Sequence, residues 1–240
     1  MPILYEDRSV LAIDKPPGWM LVPFNWQKTD RNLQAAITSS IAARDFWARS
    51  RNLKYLWHVH RLDAETSGVL LFAKSRGALD TFGDLFESRK MEKMYLVVVQ
   101  GIPKNDEWSC RLKLAPDPEV IGRIKVDARA GKESETHFRV LQRGANTTLL
   151  EAKPITGRTH QIRVHLAESG HAVSGDPLYG PNTSSDQPRR TSRLAVDQGK
   201  TKLGLRAVSL AYLDPFTKRR VQIQAPTERF LEDFHFASDH

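Results

Sequence analysis

Apolar positions fall into short runs and helical stripes that lay out most of the chain. Residues 3–5 and 10–13 are apolar on either side of Glu6-Asp7-Arg8-Ser9, the pattern of a strand, a tight turn and a second strand. Lys15-Pro16-Pro17-Gly18 ends that regularity, because proline cannot feed a sheet ladder and glycine permits a sharp bend. Leu33, Ala36, Ile37 and Ile41 recur at helical spacing, which predicts an amphipathic helix over 31–43. Val69-Leu70-Leu71-Phe72-Ala73 is an unbroken apolar run and predicts a buried strand over 69–74. Ala78, Leu79, Phe82, Leu85 and Phe86 then stripe a second helix that ends near Arg89-Lys90.

From there the pattern turns to sheet. Lys93 to Val99 is a β-branched run suited to a central strand. Trp108, Cys110, Leu112 and Leu114 alternate with polar residues, Ser134, Thr136, Phe138 and Val140 do the same, and Leu149 to Ala152 continues the sheet. A third helix is predicted from His160 to about Ser169, stopped by Gly170. The segment 181–202 is polar and carries Arg189, Arg190, Arg193, Lys200 and Lys202, the composition of a long mobile basic loop. Strands near 203–212 and 219–225 and a short helix around Phe230, Leu231 and Phe234 close the chain. These elements predict one α+β domain over 1–240, with a mixed, largely antiparallel sheet flanked by helices and loops.

Composition narrows the chemistry. The chain has 240 residues, 40% hydrophobic and 27% charged, as expected for a soluble globular protein. Its single cysteine, Cys110, cannot form an internal disulfide or a cysteine cluster for zinc, which favours a reducing compartment. The first residues turn polar before any long apolar run, and no window reaches membrane-spanning length, so a cytoplasmic protein is expected. A net charge of +8 favours polyanionic partners, nucleic acid or an anionic membrane surface. Arg44, Arg49, Arg51 and Lys54 interleave with Phe46, Trp47, Tyr55 and Trp57, which suits either a surface that grips phosphates and stacks bases or aromatics facing a core with solvated cations between them.

The densest chemistry lies in His60-Arg61-Leu62-Asp63-Ala64-Glu65-Thr66-Ser67-Gly68, a polar loop feeding the buried run that follows. His58 and His60, with Asp63 nearby, invite a metal reading, but an intervening arginine repels a dication and the spacing misses the metallohydrolase pattern. His160 and His165 are five apart, not four. No phosphate-cradling glycine loop and no nucleophile-elbow serine is present. Asp63 beside arginines can stay ionised and act as a nucleophile or base toward a sugar carbon, or it can be an ordinary ion-pair carboxylate.

The same loop resembles the catalytic motif of the RluA-type pseudouridine synthases. Asp14-Lys15-Pro16-Pro17-Gly18 resembles the first motif of that family, and Glu92 to Gly101 its tyrosine strand. Thr156 to Leu166, continued by Gly175-Asp176-Pro177-Leu178-Tyr179-Gly180, resembles its third block, and all four motifs stand in family order. The resemblance implies an RNA pseudouridine synthase that isomerises a uridine of ribosomal or transfer RNA, with no cofactor, metal, membrane or obligate protein partner. It implies Asp63 as the catalytic carboxylate, Tyr95 stacking on the flipped base, Arg163 pairing with the catalytic carboxylate, and Arg61 displacing or replacing the target nucleotide in the RNA stack. The alternative is an RNA-binding module on the same fold that has lost catalysis; Asp63, Tyr95 and Arg163 argue against it.

Two departures stand out. Leu205-Arg206-Ala207 and Leu213-Asp214-Pro215 occupy places where the family often has a histidine, which is expected to alter support of the late strands. The pattern also starts within the first few residues, without the N-terminal RNA-binding domain of many relatives. RNA grip is therefore expected from the basic segments 44–54 and 189–202.

Overall fold

The computed structural model describes residues 1–21, 31–180 and 202–237. In chain order the elements are β1 (Ile3–Glu6), β2 (Val10–Lys15), α1 (Leu33–Ala42), α2 (Phe46–Ser50), β3 (Trp57–His58), β4 (Ser67–Ala73), α3 (Arg76–Glu87) and β5 (Glu92–Gln100). They continue with β6 (Glu107–Pro116), β7 (Ile124–Val126), β8 (Lys132–Arg143), β9 (Thr147–Pro154), α4 (Gln161–Glu168), β10 (Leu205–Leu213), β11 (Arg220–Gln224) and α5 (Glu228–Asp233). The expected α+β class with a mixed, largely antiparallel sheet is what the chain adopts. Backbone packing divides it into two compact units, Met1–Tyr95 with Arg206–Phe230, and Leu96–Leu205 with Leu231–His240.

In the first unit, β4 is the central strand. It runs antiparallel to β2 from Val10 opposite Ala73 to Lys15 opposite Gly68. Its other edge is shared: β10 lies parallel to its first residues, with Arg206 opposite Ser67 and Ala207 opposite Gly68, and β3 pairs antiparallel with its last two. The unbroken apolar run follows from burial on both faces. Val69, Leu71 and Ala73 pack with Ala78 and Phe82 of α3, while Leu70 and Phe72 pack with Leu33, Leu53, Leu56 and Leu62. Each large side chain buried this way contributes roughly 1.5–3 kcal/mol. The helices start where side chains can satisfy free N–H groups: Asn32 Oδ1 accepts from Ala35 at 3.1 Å before α1, and Ser75 Oγ accepts from Ala78 at 3.2 Å before α3.

The second unit is antiparallel, in the order β5, β9, β8, β6, β7. Helix α4 lies against this sheet, and Val164 packs with Leu114 and Tyr179. Strand β7 has no signature in the sequence because three residues are too few to show a period. The third helix begins one residue later than the periodicity suggests, since His160 takes a left-handed conformation at φ 51°. Gln161 accounts for that sharp entry: its Oε1 accepts from the Thr156 hydroxyl at 2.7 Å and from the Arg158 N–H at 2.9 Å.

The segment 44–54 is not simply a loop, because α2 crosses it. Ala48 is buried, Trp47 packs inward and donates to Ser40 Oγ at 2.7 Å, and Phe46 is 75% exposed. The interleaved aromatics thus divide, Trp47 facing the core and Phe46 facing solvent. The basic segment 181–202 lies outside the described residues as far as 201; Lys202 pairs with Asp233 at 2.6 Å.

Candidate active site

Asp63 sits in a turn that three backbone and side-chain contacts define. The Thr66 N–H donates to the Asp63 carbonyl at 3.2 Å, closing the turn just before β4 begins. The next carbonyl, that of Ala64, accepts from the Gly18 N–H at 2.8 Å and from Lys15 Nζ at 2.9 Å. The Asp14–Gly18 motif is therefore a cradle for the Asp63 loop, with Gly18 at φ 82° making the bend that turns its N–H inward.

Lys15 is fully buried at the end of β2. Burial lowers its pKa to about 8, against the opposing pull of the Glu65 and Asp63 carboxylates. The ammonium is thus close enough to Asp63 to feel its charge, a role the sequence did not single out although Lys15 lies inside the first motif.

Tyr95 lies on β5 and packs against the cluster of Leu62, Leu70, Phe72 and Ala207. Burial raises its phenol pKa and the negative charge of Asp63 raises it further, so the hydroxyl stays protonated beside the carboxylate. Lys93, two residues earlier, shares that face of the strand. Its pKa is lowered to about 8 by burial and by Arg89.

Arg61 is exposed at the start of the loop, and its charge helps lower the pKa of His58, after burial. The two histidines that invited a metal reading have structural roles. His58 Nδ1 lies 2.9 Å from Gln34 Oε1. His60 Nε2 accepts from the Leu71 N–H at 3.1 Å, in the gap between β3 and β10 along their shared edge of β4, and its ring stacks on Phe86 at 4.6 Å. Burial, then Lys93 and His58, lower the His60 pKa to about 3, so it remains a neutral acceptor. Among the described residues no group of three or more His, Cys, Asp or Glu is placed to hold a metal ion.

The third block organises the second unit around Arg163. Its guanidinium donates through Nε and Nη2 to both carboxylate oxygens of Asp176 at 2.7 and 2.8 Å, with the two side chains 1% and 0% exposed. Asp176 Oδ1 also accepts from the Leu178 and Tyr179 N–H groups, and the Tyr179 ring lies 5.2 Å from the Arg163 guanidinium carbon. Asp176 and Tyr179 were part of the matched motif, but nothing in the sequence marked them as the partners that fix this arginine. The first unit thus brings Arg61, Asp63 and Tyr95 together around one loop, and Arg163 is fixed within the second.

A carboxylate on a loop whose backbone is held at Asp63 and Ala64, with a protonated phenol and a buried ammonium near enough to feel its charge, can act as nucleophile or base on a polar substrate. Residues 9–168 match the family described as RNA pseudouridylate synthase. The chain belongs to this family, as the motifs implied, and is an RNA pseudouridine synthase, an isomerase.

Among its relatives is the ribosomal large subunit pseudouridine synthase C of Vibrio vulnificus (strain CMCP6), 36% identical over 232 residues, or 96% of this chain and 67% of the relative. The protein of the same name from Escherichia coli (strain K12) is 34% identical over 236 residues, with the same shares. The structure of human RNA pseudouridylate synthase domain containing 1 is similar with a TM-score of 0.68 at 25% identity, covering 95% of this chain and 83% of that one. Human RNA pseudouridylate synthase domain containing 4 has the same fold, with a TM-score of 0.74 at 22% identity over 98% and 92% of the two chains.

Proposed function

We propose that the chain isomerises a uridine of ribosomal RNA, with Asp63 as the reacting carboxylate. The observation that carries the reading is the held Asp63 turn with the Tyr95 phenol close enough to register its charge. Asp63 acts on the ribose, as nucleophile at the anomeric carbon or as base at the neighbouring carbon. The N-glycosidic bond breaks, the uracil turns, and the base rejoins the sugar through C5; the C5 proton leaves, N1 gains one, and the net change is zero. No external oxidant or reductant is needed for that balance.

Tyr95 holds the extracted base by stacking, its neutral hydroxyl near the reacting ring. Arg61, exposed at the loop's entrance, fills the vacancy in the RNA stack, where extraction costs a few kcal/mol. Arg163 takes the role of countercharge to the reacting carboxylate on the strength of the motif match; its guanidinium is bound by Asp176 and lies near the Tyr179 ring. Cations of the segment 44–54 and of 189–202 supply the grip on phosphates. A ribosomal substrate is favoured over a transfer RNA because the relatives at 34–36% identity are named for the large ribosomal subunit.

The test is to map pseudouridines across cellular RNA with and without the protein, alongside Asp63→Asn. The expected result is one or more ribosomal sites that depend on the wild type, and RNA binding without isomerisation in the variant. Dependence confined to transfer RNA overturns the ribosomal assignment, and substantial turnover by Asp63→Asn overturns the assignment of the carboxylate.

A further inference from the structure

We propose that the Arg206–Asp14 ion pair is a positioning device that sets the Asp63 loop through the two strands bordering it, an inference that rests on Asp63 being the reacting carboxylate. Arg206 Nη2 donates to Asp14 Oδ2 at 2.7 Å across 192 residues of sequence, and the two side chains are 10% and 19% exposed. A second bond, from Arg206 Nε to the Pro226 carbonyl at 2.9 Å, fixes the plane of the guanidinium.

Each member of the pair stands next to backbone that borders the loop. Asp14 immediately precedes Lys15, whose ammonium and the nearby Gly18 N–H hold the Ala64 carbonyl, one residue beyond Asp63. The Arg206 backbone stands opposite Ser67, where the loop passes into β4, and Ala207 stands opposite Gly68. That junction is close: a Cβ on Gly68 would lie 2.0 Å from the Ala207 carbonyl oxygen. One ion pair therefore joins the strand that leads into the cradle at Ala64 to the strand that receives the loop's end. Asp14 Oδ1 is buried and has no hydrogen-bond partner among the described residues, so the carboxylate's orientation depends on Arg206 through its other oxygen.

The arginine is suited to this task. It keeps its charge at every working pH, and its rigid planar fork holds a carboxylate and a carbonyl at once, which an imidazole cannot do with the same geometry. A loop displaced by an ångström no longer presents its carboxylate to the sugar, and a misplacement of that size can cost on the order of 100-fold in rate.

The experiment compares wild type, Arg206→Met, Asp14→Asn, Arg206→Lys and the Asp14→Asn/Arg206→Met double variant. It measures single-turnover isomerisation of an RNA substrate, RNA affinity, and hydrogen exchange at the Thr66 and Gly18 amides. The two single disruptive variants are expected to lose about 10- to 100-fold in single-turnover rate, with RNA affinity unchanged and faster exchange at both amides. Arg206→Lys should restore part of the rate, and the double variant should be no slower than the worse single one, because the two residues act as a unit. Wild-type rate and exchange in Asp14→Asn, or losses that multiply in the double variant, overturn the proposal. Asp14→Asn preserves side-chain volume, so it decides the matter even where Arg206→Met fails to fold. Full activity in Asp63→Asn would sink the assignment of the carboxylate, whereas an inactive Asp63→Asn beside a fully active Asp14→Asn sinks the positioning role alone.

Discussion

The buried ammonium of Lys15 donates to the Ala64 carbonyl at 2.9 Å, and Ala64 is the residue after Asp63. Lys15→Met keeps the apolar stem and removes the donor, leaving the Ala64 carbonyl to the Gly18 N–H alone. The expected result is a slower isomerisation with RNA affinity unchanged. The pH dependence has a definite sign. Burial lowers the Lys15 pKa from 10.5 to about 8, so between those values the unfolded chain binds one proton more than the folded protein. Wild-type stability should therefore gain up to about 1.4 kcal/mol per pH unit, relative to Lys15→Met, as pH rises from 8 toward 10.5. Urea unfolding of both proteins at several pH values measures the difference, and parallel curves would count against the assignment.

Tyr95 separates stacking from hydrogen bonding. Burial and Asp63 both raise its pKa, so its hydroxyl is protonated throughout the working range and ionisation plays no part in binding. A stacked base contributes roughly 1–3 kcal/mol. Tyr95→Phe, which keeps the ring, should retain more affinity for an RNA carrying the target uridine than Tyr95→Ala. Equal losses in a titration of the two variants would mean that the ring does not hold the base.

Gly68 is the narrowest point in the first unit. Its φ of 112° is strained for any L side chain, and the missing Cβ makes room for the Ala207 carbonyl. Gly68→Ala must either part β4 from β10 or twist the end of the Asp63 loop, because the obstacle is backbone. We expect a loss of about 3 kcal/mol or more from strain and overlap together, read as a lower urea midpoint, and inactivity in whatever fraction remains folded. A substitution at Gly77, where an added Cβ meets nothing within 4 Å, is the control and should be well tolerated.

The sequence revealed what repeats and what is local. Leu70 and Phe72 on one face of β4, Val69 and Leu71 on the other, and the Ala78–Phe82 stripe of α3 all come from burial, and burial imposes a period that can be read. Strands β3 and β7 are too short for a period, and they form because β4 and β6 offer them an edge. The site was legible as motifs but not as contacts. Asp63 stood out in a dense polar loop, whereas Lys15 lay within the first motif with no role of its own. The Arg206–Asp14 pair joins residues 192 apart, so no local pattern can betray it. Asp176 stood in the third block without a marked partner, and its Oδ1 accepts the Leu178 and Tyr179 N–H groups while both its oxygens hold Arg163.

That double duty makes Asp176 the sharpest stability test in the second unit. Asp176→Asn keeps the size of the side chain and an oxygen able to accept the Leu178 and Tyr179 N–H groups, so the turn can survive. What it removes is the countercharge of a guanidinium only 1% exposed. Neutralising one partner of a buried pair typically costs 3–5 kcal/mol, because the desolvation of the survivor is less fully offset. Arg163→Met leaves a carboxylate that still accepts two backbone N–H groups and can take up a proton, a relief the arginine lacks. Urea unfolding at neutral pH should therefore show the larger loss for Asp176→Asn, and lowering the pH should narrow the deficit of Arg163→Met without rescuing Asp176→Asn. Equal losses at every pH would mean that side-chain shape, and not the buried charge, holds this part of the second unit.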